Sequence, residues 1–417
     1  MSENETSGSM PVNLKSILSL PVIVAALGYF VDIYDLVLFS IVRVPSLRGL
    51  GISGPELIDK GVMLLNMQMI GMLVGGIIWG VLGDRKGRLK IMFGSIFLYS
   101  LANLANGMVT SVEAYALLRF IAGVGLAGEL GAGITLVSEV LHKSVRGYGT
   151  MIVASVGVSG AILANFIARN FDWRTAFYIG GMLGLMLLVL RVSVAESGMF
   201  RGMEESSVER GNFLALFTSA DRFGRFLHTI LIGLPSWFVV GVLITFSPEF
   251  AKVLKVQGQV SAGNAVMYCY MGLVAGDLAS GMLSQILKSR KKAILLFMVM
   301  TVAAVGAYFG AAGVTAGTFY LICGALGFGI GYWAIFVTVA AEQFGTNLRA
   351  TVATTVPNFV RGMTVPITML FQYLRKPLGI ENGALAVGVI TLAIALFSLS
   401  RLQETFHKDL DYFEEYL

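Results

Sequence analysis

The chain has 417 residues, 56% of them hydrophobic and 13% charged, with 30 Lys and Arg against 25 Asp and Glu. A soluble domain carries about 25% charged residues, and a fold in water has no means of hiding this much apolar surface, so lipid must be part of the solvent. The small basic excess reads as loop topology rather than nucleic-acid affinity, and two cysteines inside apolar runs, Cys269 and Cys323, exclude a disulfide framework or a zinc pattern.

Residues 1–16 are polar and lack the layout of a cleaved leader, which predicts a retained tail. A bilayer core of about 30 Å takes about 20 helical residues. Apolar runs predict twelve spans, near 17–42, 62–82, 89–109, 114–138, 147–168, 174–194, 226–249, 263–287, 292–312, 317–340, 350–373 and 382–400. The fold class is therefore all-α integral membrane. Two six-helix bundles, 17–195 and 226–400, are joined by a polar linker, 196–225, and followed by a tail, 401–417. Lys and Arg on the loops that share a face with the termini outnumber those opposite by about two to one, which predicts cytoplasmic termini.

The halves look alike. Glu139 and Arg146 are repeated as Glu342 and Arg349, and Gly123/Gly125 as Gly327/Gly329, all at nearly one offset. Parallel repeats of this kind are a transporter design, with the site between the repeats.

Charges inside spans are costly and should face a cavity or a partner. Asp32 and Asp35 share a face of span one. Asp35 and Arg119 of span four lie at matching depths, roughly 9 and 8 Å from the same membrane face, so an Asp35–Arg119 ion pair is expected. Its role is either proton coupling or a permanent tie between spans, and Asp32 is the alternative titrating group because two close carboxylates push one pKa upward. Arg361 falls roughly 16 Å into span eleven, near the midplane, with Asn358 on its face. A guanidinium there implies either an anionic substrate or an internal salt bridge to Asp277 of span eight. Tyr332 and Trp333 of span ten either line a substrate cavity or pack.

The run Gly80-Val-Leu-Gly-Asp84-Arg85-Lys-Gly87-Arg88, between spans two and three, resembles the signature of the major facilitator superfamily. Further stretches resemble its metabolite:proton symporter branch, with sugar-porter-like motifs. These are Asp32-Ile-Tyr34-Asp35, Arg119 to Gly131 with Glu129 inside it, Trp173-Arg174, Glu196-Ser197, Glu342 to Arg349, and Gln403-Glu404-Thr405. The second-half counterpart of the loop departs from the pattern, with Gln285 at its acidic position, and Gly198 and Gly345 stand where the branch has prolines.

The resemblance implies proton coupling through Asp32, Asp35, Arg119 and Glu129, although Glu129 is alternatively bonded to a neighbouring backbone. It adds Tyr34 to the candidate substrate residues Arg361, Asn358, Asp277, Tyr332 and Trp333. It also implies a latch built from Gly80, Asp84, Arg85, Gly87, Arg88, Glu139, Arg146, Glu342 and Arg349, or a static network of the same residues. A bacterial inner membrane is implied as well.

No phosphate-cradling loop or nucleotide-binding unit is found, so an enzyme, a cofactor and ATP drive are not expected. The readings that remain are a proton symporter for a small polar metabolite (an organic anion, amino acid or zwitterion), an exporter of a metabolite, siderophore or drug, and a non-transporting receptor. One chain carries both halves, so a monomer is expected to suffice.

Overall fold

The computed structural model describes residues 20–86, 88–128, 153, 156–196, 213–406 and 414. Among them, eight segments are long and apolar enough to cross a membrane. The first half contributes α1 (Leu20–Gly49), α2 (Glu56–Lys86), α3 (Arg88–Asn106), α4 (Val112–Leu126), α5 (Gly160–Asn170) and α6 (Trp173–Glu196). The second half contributes α7 (Ala220–Leu231), α8 (Leu234–Phe238), α9 (Ser247–Val253), α10 (Ala262–Ile286), α11 (Arg290–Phe309), α12 (Ala316–Gly329), α13 (Trp333–Glu342), α14 (Thr346–Gly362) and α15 (Thr364–Arg401). We call the side where α1 begins and α15 ends the terminal face, and the opposite side the far face.

Lipid tails are as apolar as leucine, so helices in a bilayer associate by close packing, and small residues permit it. Both halves use that solution at the same place. Where α2 crosses α4, a Cβ on Gly71 or Gly75 would run into the carbonyl of Phe120 or Val124, and one on Gly123 into that of Gln68. Where α10 crosses α12, Gly272 and Gly276 stand in the same relation to Gly324 and Phe328, and Gly327 to Cys269. The recurrence of Gly123 and Gly327 in the sequence therefore marks one helix crossing made twice.

Several boundaries differ from expectation. The first span runs to Gly49, which moves Arg43 and Arg48 from a loop onto a helix. Arg43 tolerates full burial because Glu249 neutralises it. The expected linker is structured at its end, with a 3-10 turn at Phe213–Phe217 and α7 from Ala220. Three spans of the second half are interrupted. Span seven breaks at Gly233 and then passes through a π-helix, Val239–Ile244. Span ten breaks between α12 and α13, and span eleven at Met363. The part of span eleven beyond Met363 and span twelve form one helical run, α15, that turns at Gly379, whose φ of 79° suits glycine.

Candidate functional site

The interruptions of spans seven, ten and eleven meet at a cavity of about 40 Å³ between the halves. Tyr29, Ile33 and Leu36 of α1 face it from one side. Trp237 of α8, Tyr270 of α10, Trp333 of α13 and Arg361 of α14 face it from the other. The wall is thus mostly apolar, with four aromatic rings among aliphatic side chains and one cation. A space of that size holds a few water molecules at most, each needing about 10–15 Å³, so any metabolite requires the halves to separate.

Arg361 is buried, and its Nη2 lies 3.8 Å from Asp32 Oδ2 across the seam between the halves. Its Nε and Nη1 have no hydrogen-bond partner among the described residues. The Asp277–Arg361 bridge, one of the two alternatives for Arg361, does not form. Asp277 Oδ1 instead accepts from the backbone N–H of Ala334 at 2.9 Å, where α13 starts after the break in span ten. An exposed helix N-terminus inside a membrane needs such an acceptor, and a carboxylate suits the positive end of the helix dipole.

The expected Asp35–Arg119 ion pair is also not closed within 4 Å. Arg119 Nη2 donates to Gln68 Oε1, and the guanidinium lies over the rings of Phe39 and Phe177, at 5.0 and 5.7 Å. Gln68 takes Nη2 alone, Nε and Nη1 have no hydrogen-bond partner among the described residues, and Asp35 is an electrostatic neighbour only. Asp35 is buried against Gly180, with Asn103 beside it but without a bond of good geometry. A row of four charges results, the carboxylates of Asp35 and Asp32 flanked by Arg119 on one side and Arg361 on the other, running from the first half across the seam into the second.

The remaining candidates divide. Trp333 lines the cavity. Tyr34 and Tyr332 do not: each hydroxyl donates to a carbonyl in its own half, of Ala176 at 2.8 Å and of Ile232 at 2.9 Å. Asn358 also lies off the cavity wall, packed on Gly76, and its Nδ2 donates to Ala127 O across the seam at 3.1 Å. Glu342 is held by Arg290 at 3.3 Å and by the Thr405 hydroxyl at 2.6 Å. Gly80 lies within α2. Asp84, Arg85, Arg88 and Arg349 are described for their helical backbone alone, and Gly87, Glu129, Glu139 and Arg146 lie outside the described residues.

Sequence reasoning missed Tyr29, Trp237 and Tyr270, which look like ordinary span aromatics. It also missed the far-face seam. There Arg43 Nη2 donates to both oxygens of Glu249 at 2.7 and 2.8 Å and to Thr245 O at 3.2 Å, and its guanidinium lies 4.4 Å from the Phe246 ring. Ser40 bonds Thr245 at 3.0 Å, Asn165 donates to Asn264 at 3.1 Å, Thr368 donates to Asn66 at 2.6 Å, and Arg375 pairs with Asp59. These bonds join the halves and close the far face. The signal was present in Arg43 and Glu249, two charges at the ends of apolar runs, which loop counting treats as exposed.

Residues 25–363 match the model of the Major Facilitator Superfamily. A Bacillus subtilis protein named for niacin/nicotinamide transport is 26% identical, covering 81% of this chain and 84% of its own length. The niacin transporter of Acinetobacter baylyi is 24% identical over 93% of this chain and 94% of its own. The 3-(3-hydroxy-phenyl)propionate transporter of Escherichia coli is 28% identical over 60% and 62%. With the family model spanning most of its length and its relatives named as transporters rather than enzymes, this chain belongs to the major facilitator superfamily.

Proposed function

We propose that the protein imports a small monocarboxylate bearing a planar ring, together with a proton, by alternating access. The observation that carries this reading is Arg361, a buried cation in an aromatic-lined cavity with two donors unused and one carboxylate, Asp32, loosely opposite. Arginine holds carboxylates through paired parallel hydrogen bonds, and flat rings stack on Tyr and Trp faces. Niacin and 3-(3-hydroxyphenyl)propionate, named for two relatives, are both ring-bearing carboxylic acids.

The charge row supplies the coupling logic. With two arginines and two aspartates it is balanced. A substrate carboxylate on Arg361 leaves Asp32 without its cation, in a setting where an uncompensated charge costs several kcal/mol or more. Protonation of Asp32 restores the balance, so anion and proton bind together. Asp35, Arg119 and Glu129 are the other members of the proposed proton path. The terminal face is cytoplasmic, the membrane is a bacterial inner membrane, and one chain suffices.

The test is uptake of ring carboxylates by the purified protein in liposomes under an imposed pH gradient. Accumulation should collapse with a protonophore and respond to the pH gradient rather than to membrane potential, because one proton and one monoanion cross together. Asp32→Asn should abolish accumulation while leaving exchange of substrate across the bilayer. Full accumulation by Asp32→Asn would remove it as the coupling group and shift the role to Asp35 or Glu129. Gradient-driven extrusion alone would reverse the direction.

A further inference from the structure

A second cavity, of about 570 Å³, opens on the far face and shares no lining residue with the central one. Both halves build it. Arg48 and Arg169 contribute from the first half, Glu249, Lys252 and Gln259 from the second. Arg48, Arg169 and Lys252 are exposed, and none has a carboxylate within 4 Å among the described residues. Among the described residues, the only acid in the wall is Glu249. Each cation sits in the last turn of its helix, where the dipole favours positive charge. That accounts for the presence of each one but not for their convergence on a single cavity. Outer loops are ordinarily the basic-poor side of a membrane protein, so three converging cations there run against the trend.

Directly inside this vestibule stands the Arg43–Glu249 pair. Glu249 is half-buried and faces the vestibule, whereas Arg43 is fully buried behind it. Arg43 Nε has no hydrogen-bond partner among the described residues, so a donor remains for a second carboxylate. Lys252 follows Glu249 by three residues on α9, close enough on one helix face to receive a displaced carboxylate. The Phe246 ring packs against Arg43 and is buried with it, so the guanidinium is held in place as Glu249 leaves. Arg43 and Asp32 lie on the same helix about 16 Å apart along its axis, so a ligand held at Arg43 is already above the charge row.

We infer that this vestibule is a capture site for organic monocarboxylates, in which the arriving anion is gathered by Arg48, Arg169 and Lys252 and takes Arg43 from Glu249, releasing the outer seam. The inference rests on the monocarboxylate reading above and deepens it. A cleft lined by one sign of charge concentrates counter-ions and speeds their arrival. Exchange of one carboxylate for another at Arg43 keeps the buried guanidinium paired throughout, which avoids the cost of breaking a buried pair. A neutral ligand of the same shape has no means of making the exchange, so opening is tied to the charge of the ligand.

The experiment uses the full chain in liposomes with Ser40→Cys as reporter, since Ser40 is buried in the seam and both native cysteines are buried. An impermeant maleimide is added from the vestibule side, with benzoate, its neutral isostere benzamide, or neither. Benzoate should raise the labelling rate several-fold and benzamide should not. Glu249→Gln should raise the ligand-free rate to the benzoate level and abolish the response. Lys252→Gln, an exposed change that leaves the seam intact, should shift the half-maximal benzoate concentration several-fold upward without changing the maximum. Equal effects of benzoate and benzamide, or an unchanged rate in Glu249→Gln, overturn the inference. Benzoate counterflow is measured on the same vesicles. Transport without a labelling response overturns the capture site alone, and absence of both overturns it together with the monocarboxylate reading.

Discussion

The two halves share a skeleton and differ in what they do with it. Each crosses a glycine-bearing pair of helices at the same place, α2 on α4 and α10 on α12. In the first half α1 is unbroken and carries Asp32 and Asp35, facing Arg119 on α4. In the second half three spans are broken, and the breaks turn aromatic side chains and Arg361 toward the seam. A continuous helix holds buried charges at fixed depth. A broken one exposes backbone groups and reshapes a wall, which is how transporter folds build binding sites near the midplane. On the proposed function, charge movement falls mainly to the first half and ligand shape to the second.

The shared skeleton is tested most severely by filling the crossings. Gly71→Val and Gly272→Val both push a side chain into a partner carbonyl. Overpacking costs about 1–3 kcal/mol where neighbours yield, and backbone does not yield, so both should abolish monodisperse, folded protein on size exclusion. A milder effect at one crossing than the other would break the equivalence of the halves.

The division of labour predicts opposite kinetic signatures. Arg119→Lys loses the planar fork to Gln68 and the stacking on Phe39 and Phe177, for which lysine is a poor replacement. It should reduce gradient-driven accumulation by about tenfold, the equivalent of 1.4 kcal/mol, while KM for exchange stays near wild type. Trp237→Ala removes ring surface from the cavity and should raise KM severalfold with the accumulation ratio unchanged. Swapped signatures would sink the assignment. Asp277→Asn keeps an acceptor for Ala334 but loses its charge. A negative charge at a helix N-terminus contributes about 0.3–1 kcal/mol, so a drop in melting temperature of about a degree or two without a change in coupling is expected.

The smallest effect concerns the terminal face of the second half. Glu404 accepts from the Ser289 hydroxyl and from the backbone N–H of Arg290 at 2.9 Å and of Lys291 at 3.2 Å, capping α11. Burial pushes its carboxyl up, but these bonds together with the Phe406 N–H outweigh burial and hold it below the ordinary glutamate value of 4.5. A depressed folded value means that the contribution is complete above 4.5 and is lost as pH falls through the lower, folded value. Amide exchange at Arg290 to Lys292 should therefore accelerate only below that range in wild type and at neutral pH in Glu404→Gln. Acceleration at neutral pH in wild type would contradict the cap.

The fold was readable because its signals are compositional and long. Twenty-residue apolar runs and glycines repeated at one offset survive any error in local boundaries. The site was readable only in outline. Asp32, Asp35, Arg119 and Arg361 stood out because charges in lipid demand an explanation, but their pairing did not follow, since depth along a helix says nothing of which face meets which neighbour. Depth matched Asp35 to Arg119, whereas the contact goes to Gln68, a neutral residue that carried no comparable signal. Tyr34 and Tyr332 had the right depth and the wrong direction. Trp237 became legible only once the break in span seven had turned it toward the seam, and Tyr270, on the unbroken α10, only once the cavity wall was traced.

The π-helix at Val239–Ile244 has a consequence for chain length. Its wide turn, marked by the Thr245 N–H reaching Val240 O at 3.2 Å, holds one residue more than an α-helical turn would. It lies between Trp237, on the central cavity, and Glu249, on the far-face seam. Deleting a single residue within it converts the turn to α-helix and leaves both ends in phase. A deletion elsewhere in the same span rotates one end against the other by about 100°, which separates Glu249 from Arg43 or Trp237 from the cavity. Span seven therefore has one stretch in which a residue can be lost without misaligning the two sites it serves.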